Sequence, residues 1–80
     1  MQELIEYIVK ALVDEPDQVD VRQVTGERVV VVEVRVAQDD VGKVIGREGR
    51  IANALRTIVK AAAVKDGLKA SLEIIPPDHR

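Results

Sequence analysis

The chain has no cysteine, no tryptophan, no phenylalanine and a single tyrosine. Without cysteine there is no disulfide, no thiolate zinc site and no cysteine nucleophile. Aromatic residues at 1% leave no platform on which successive bases could stack, which excludes the RRM and OB modes of nucleic-acid binding. Any such contact would have to be aliphatic and backbone-based. The only serine, Ser71, has no histidine near it in sequence, and the one histidine, His79, lies in the tail, where a flexible surface residue is expected. A nucleophilic triad is therefore unsupported, and no enzyme is expected. No apolar run exceeds four residues, as in Val29 to Val32, against the roughly 18 to 20 needed to span a bilayer. The N-terminal residues include Glu3 and Glu6 and lack a basic region ahead of an apolar stretch. Nothing there resembles a secretory signal, so the cytoplasm is the expected compartment.

What remains is a globular composition. The 80 residues are 46% hydrophobic and 32% charged, enough apolar surface for one compact domain spanning 1–80 and too little chain for two. The net charge of −2 conceals an asymmetry. Residues 1–40 carry four cations against ten carboxylates, whereas residues 41–69 carry seven cations (Lys43, Arg47, Arg50, Arg56, Lys60, Lys65, Lys69) against Glu48 and Asp66. A basic segment on a mildly acidic domain suits a polyanion contact confined to one face. The plainer reading is a solvated helix face.

Leu4, Ile5, Ile8, Val9 and Leu12 recur at helical spacing, so the chain opens with an amphipathic helix that ends before Pro16. Val19–Thr25 and Arg28–Ala37 read as strands, joined by a turn with Gly26-Glu27 at its corner and a positive φ at Gly26. In the second strand Val30, Val32, Val34 and Val36 share the core face. Asp39-Asp40 offers an N-cap for one helical turn, Val41 to Ile45, which Gly46 interrupts. Two adjacent acids could also suggest a metal site, but a cap and a dipole match explain them better. Arg50 to Lys65 repeats Ile51, Leu55, Ile58, Val59 and Ala62 as a long amphipathic helix, Asp66-Gly67 caps it, and Ala70 to Ile75 alternates as a third strand before Pro76-Pro77. The residues 76–80 form a tail. The order α-β-β-α-α-β is an α+β arrangement, and a right-handed crossover lays the third strand parallel to the second. The result is a mixed three-stranded sheet with helices on one face. Tyr7 reads as an edge-of-core or interface aromatic.

The informative segment is Val44-Ile45-Gly46-Arg47-Glu48-Gly49-Arg50-Ile51, and Lys43 just before it is counted with these residues as an expected RNA contact. Two glycines three apart, in the GxxG loop 46–49, let the backbone turn tightly and bring N–H groups close to phosphodiester oxygens. The helix that opens behind them adds unpaired donors, and Arg47 and Arg50 supply cations. Glu48 partly offsets Arg47. A purely geometric turn would not need flanking arginines, and neither GxxxxGK nor GxGxxG spacing is present, so mononucleotide binding is not expected.

This segment resembles the VIGxxGxxI signature of the KH domain, and the order of elements resembles the type II, prokaryotic arrangement. The stretch Asp39–Arg50 continued by Ala54–Ala63 is similar to the small single-KH proteins of the bacterial KhpA family, and the resemblance covers the whole chain. It implies a single-stranded RNA-binding protein with RNA-chaperone or post-transcriptional regulatory roles and no cofactor. In it Gly46, Arg47, Glu48 and Gly49 clamp about four nucleotides, and Val44, Ile45 and Ile51 form the apolar floor. It further implies a homodimer and pairing with a larger KhpB-like KH protein. Val29 with Val31, or Ala61-Ala62-Ala63, are the candidate contact surfaces. The alternative function is a protein-interaction module whose RNA contact is made mainly by a partner subunit.

Overall fold

The computed structural model describes residues 1–77; Asp78, His79 and Arg80, and with them the expectation for His79, lie outside the described residues. Helix α1 (Gln2–Leu12) leads through a 3-10 turn at Pro16–Gln18 to strand β1 (Asp20–Thr25), which pairs antiparallel with β2 (Val29–Arg35). A second 3-10 turn, Gln38–Asp40, opens α2 (Val41–Ile45). A third, Arg47–Gly49, connects α2 to α3 (Arg50–Val64), and β3 (Lys69–Ile75) returns parallel to β2. The sheet order is β1-β2-β3, so the expected mixed sheet is present. No helix among the described residues is long and apolar enough to cross a membrane.

The alternation of valines in β2 decides which face is covered. Val30, Val32 and Val34 are fully buried, and Val32 and Val34 share one cluster with Ile5 and Val9 of α1, Val44 of α2, and Leu55 and Val59 of α3, with Val21 and Leu72 contributed by the flanking strands. All three helices therefore share one sheet face. Each buried aliphatic side chain contributes about 1.5–3 kcal/mol, so a core without large aromatics depends on this close aliphatic packing. Helix α3 ends as expected. Gly67 has φ 69°, its N–H bonds Val64 at 3.0 Å and that of Leu68 bonds Ala63 at 3.0 Å, the paired bonds of a glycine-terminated helix.

Three expectations are corrected. The hairpin corner is Glu27-Arg28, not Gly26-Glu27. Gly26 already faces Val29 and donates to its carbonyl at 2.7 Å, and its φ is not in the left-handed region. Glycine is suited to this position by space, since a Cβ there would meet Val29 Cγ1 at 3.1 Å. Of the two places expected for Tyr7, the edge of the core is set aside by its 75% exposure on α1, which leaves the interface reading. Of the Ala61-Ala62-Ala63 stretch only Ala61 is exposed: α3 turns Ala63 fully into the core and half-buries Ala62, because Ala52, Leu55, Val59 and Ala63 form its inward stripe. Val29, by contrast, is exposed on the open sheet face, where Val24 lies opposite the half-buried Val31.

Candidate nucleic-acid interface

The loop between α2 and α3 is built by three residues with unusual backbone angles. Gly46 sits at φ 77°, ψ 173°, a conformation essentially restricted to glycine, and Gly49 sits at φ 76°, ψ 14°. Glu48 between them is also left-handed, at φ 55° and ψ 24°, a conformation that costs a side-chain-bearing residue about 1–2 kcal/mol. The N–H of Gly46 closes α2 by bonding Gly42 at 2.9 Å, that of Gly49 bonds Gly46 at 3.1 Å, and that of Arg50 bonds Arg47. Among the described residues the N–H groups of Arg47 and Glu48 make no hydrogen bond within the chain, so these two crown the turn as free donors. Arg47 and Arg50 project exposed on either side of them.

The apolar residues around the loop divide by depth. Val44 is fully buried and anchors α2 in the core, Ile51 is half-buried against Gly46, and Ile45 is 38% exposed beside the turn. Gly46 is tightly enclosed: an added Cβ would meet Ile51 Cγ1 at 2.7 Å and the Ile51 backbone nitrogen at 3.0 Å. At Gly49 the nearest atom is Asn53 Nδ2 at 3.7 Å.

Behind Gly49 a pair of hydrogen bonds runs from Asn53 on α3 to the outer edge of the sheet. Asn53 stands beside Gly49 and accepts a hydrogen bond from Arg56 Nη1 at 3.1 Å, while Arg56 Nε donates to the Leu72 carbonyl on β3 at 3.3 Å. Cavities of about 560 and 310 Å³ lie along this edge, the first walled by Glu33, Arg35, Arg56 and Glu73 around Leu72 and Ile74, the second by Lys60, Val64, Leu68 and Ala70. This edge of the sheet thus combines aliphatic side chains with charges of both signs, Arg35 and Arg56 against Glu33 and Glu73 around the first cavity and Lys60 and Lys69 around the second. The sequence signal for it was the helical spacing of Asn53, Arg56 and Lys60 on the polar side of α3, but which strand that side would meet could not be read locally.

Lys43 is placed apart from these groups. Its Nζ donates to Asp14 Oδ2 at 2.6 Å and to Asp40 Oδ1 at 3.3 Å. These contacts with the two carboxylates raise its pKa above the ordinary lysine value. Asp40 stands at the N-cap position of α2 yet makes no side-chain cap bond to its own helix, a correction to the expected capping role. Its buried carboxylate instead accepts the N–H groups of Asp14 and Glu15, at 3.1 and 3.0 Å, which follow the end of α1. Burial pushes its pKa up, but the two N–H groups and Lys43 together outweigh burial and hold it below the ordinary carboxylate value.

The comparisons with known proteins agree with this geometry. The family model for the KhpA/KhpB KH domain matches residues 2–74. RNA-binding protein KhpA of Clostridium acetobutylicum is 55% identical over 75 residues, which cover 94% of this chain and 100% of that one. The protein of the same name from Clostridium perfringens is 53% identical over the same shares, and that of Borreliella burgdorferi is 52% identical over 91% of this chain and 89% of its own. No solved structure matches. A glycine-paired turn between two helices, on a mixed sheet of this order, is thus accompanied by sequence identity along nearly the full length. The chain belongs to the KhpA/KhpB KH-domain family.

Proposed function

We propose that this protein binds single-stranded RNA, with the phosphodiester held at Gly46, Arg47, Glu48 and Gly49 and the bases laid along the α3–β3 edge. The observation that carries this reading is the GxxG turn itself, with the unpaired N–H groups of Arg47 and Glu48 at its crown and the exposed Arg47 and Arg50 beside them. A strand held there and led along α3 would meet Arg56, Leu72 and Ile74 at the β3 edge, with Glu33 and Glu73 restricting where a phosphate can lie. The names of the relatives, RNA-binding protein KhpA, support the same ligand. Arg47 and Arg50 are the phosphate donors, Ile45 and Ile51 the apolar contacts nearest the loop, and Val44 the anchor beneath. Lys43 is not counted among the donors, because its charge is already matched by Asp14 and Asp40. The cellular role that the resemblance to the KhpA family implies is RNA-chaperone or post-transcriptional regulation.

Arg47→Asp tests the clamp. With Glu48 retained, two adjacent carboxylates crown the turn, and affinity for a short single-stranded RNA is expected to fall by about tenfold or more at low salt, the loss of a charge-assisted contact and gain of a repulsive one. Arg47 is exposed, so circular dichroism and the melting temperature should hardly move. In the unaltered protein the slope of log affinity against log salt should be shallow, about −2 to −3 for roughly four single-stranded phosphates. Unchanged affinity in Arg47→Asp would show that the loop is not the clamp.

The second reading, a module that acts mainly by docking to another protein, is favoured by the apolar residues left uncovered. Leu4 and Tyr7 on α1 are 49% and 75% exposed, and Val24 and Val29 are exposed on the open sheet face. Self-association at micromolar concentration, in exchange with a KhpB-like KH protein, would cover part of this surface and raise the effective concentration of a weak single RNA site. Light scattering is expected to report a dimer. A purely monomeric species of 8.8 kDa well above micromolar concentration would remove the homodimer and leave RNA binding intact.

A further inference from the structure

Helix α2 has little that holds it in place by itself. Five residues do not form a stable helix in isolation, because nucleation outweighs the bonds of a single turn, and no side chain bonds its N-terminus. On its inner side the anchor is Val44, fully buried. On its outer side the anchors are polar and belong to a segment far upstream in sequence. Asp40 accepts from the N–H groups of Asp14 and Glu15, and Lys43, in the middle of α2, bridges Asp14 and Asp40. The residue that follows α2 is Gly46, tied back to Gly42 at 2.9 Å. A rotation of α2 is therefore passed directly to the GxxG turn.

Resting on the RNA-binding reading above, we propose that Asp14 and Lys43 are positioning residues: their ion pair, thrown across the α1–β1 connection, sets the angle at which α2 presents Arg47 and the loop N–H groups to the phosphodiester. Lys43 makes no phosphate contact of its own. Its ammonium lies between two carboxylates, so the three groups together are net negative and repel an RNA phosphate. The side chains of Lys43 and Asp14 are 43% and 76% exposed, so solvent screens the pair and the effect on affinity is modest.

Removing Asp14 distinguishes this role by sign. Asp14→Ala deletes a negative charge, which by the field of the protein alone would tighten RNA binding; acting through α2, it weakens it. The backbone N–H of residue 14 keeps its bond to Asp40 in this variant, so the fold retains its tie. Titration of the full chain with a short single-stranded oligoribonucleotide is expected to show about threefold weaker binding for Asp14→Ala and about fivefold for Lys43→Met, the scale of an exposed ion pair. Lys43→Arg should bind nearly as the parent does. The salt slope should be unchanged in Lys43→Met, and the amide resonances of Gly46 and Gly49 should move in RNA-free Asp14→Ala although residue 14 is not in the loop. Equal or tighter binding in Asp14→Ala overturns the proposal, as does a salt slope in Lys43→Met shallower by about one phosphate contact. Arg47→Asp, titrated alongside, separates the two claims. If it binds as the parent does, the RNA-binding reading and this inference fall together; if it weakens and Asp14→Ala does not, only the positioning role falls.

Discussion

Replacing Gly46 with alanine is expected to lower the melting temperature by about 10 °C or more, the shift that a loss of about 2 kcal/mol produces in a domain of this size. Two independent effects combine. The backbone at φ 77°, ψ 173° is nearly closed to any residue with a Cβ, at about 1–3 kcal/mol. The added methyl would also lie 2.7 Å from Ile51 Cγ1 and 3.0 Å from both Ile51 Cβ and its backbone nitrogen, and the last two cannot be moved by a change of rotamer. Overpacking of this kind costs about 1–3 kcal/mol, against a total stability of roughly 4–12 kcal/mol for a chain of 80 residues. Gly49→Ala is the internal comparison: it shares the positive φ but has no neighbour closer than 3.7 Å, so its melting temperature should fall distinctly less. Ile51→Ala should partly relieve Gly46→Ala, making the double variant more stable than the sum of the two losses. Equal melting temperatures for the two glycine variants would show that the Ile51 contact does not constrain the turn.

The second large effect is expected at Asp40. Asp40→Ala strips the acceptor from two backbone N–H groups and leaves Lys43 with only Asp14, so it should destabilise more than any exposed charge substitution in the chain. Asp40→Asn keeps one acceptor oxygen and should fall between. The pH dependence separates charge from hydrogen bonding. What faces Asp40 are the backbone N–H groups of Asp14 and Glu15 from the α1–β1 connection and the ammonium of Lys43 from α2, which also holds the Asp14 carboxylate. Because its carboxyl is held below the ordinary value, the stability it contributes is present above the unfolded-state pKa of about 3.9 and disappears as pH falls through the lower folded value. The difference in stability between the parent and Asp40→Asn should therefore be steady at neutral pH and shrink below about pH 4. Lys43 behaves in the opposite direction. Its pKa is raised, so its contribution is present below about pH 10.4 and declines as pH rises through the higher folded value. Denaturant melts across pH check both. If the gap between the parent and Asp40→Asn stayed constant into strong acid, the ionised carboxylate would not be what ties α2 to the chain after α1.

Much of this was legible in the residues themselves, wherever a local rule has one physical solution. Alternating valines can bury only one face of a strand, which assigned Val30, Val32 and Val34 to the core. Asp66-Gly67 after an amphipathic run ends a helix, because glycine reaches positive φ without a Cβ clash. The GxxG spacing announced a tight turn between two helices for the same reason, and the α-β-β-α-α-β order followed from periodicity. Tertiary structure decided the rest, since side chains of one type meet different partners according to how distant segments pack. The Asp39-Asp40 pair looked like a helix cap, yet the end of α1 brings two N–H groups to Asp40 from 26 and 25 residues away and draws its carboxylate off its own helix. Lys43 looked like one more cation in a basic segment, and the same packing matched it to Asp14. Gly26 resembled a hairpin corner, but the strand register moved the corner by one residue and left space, not φ, as what glycine supplies there. The contact between α3 and β3 belongs to this second class: Arg56 meets Leu72 only because the crossover lays β3 along the outer edge of the sheet, within reach of α3.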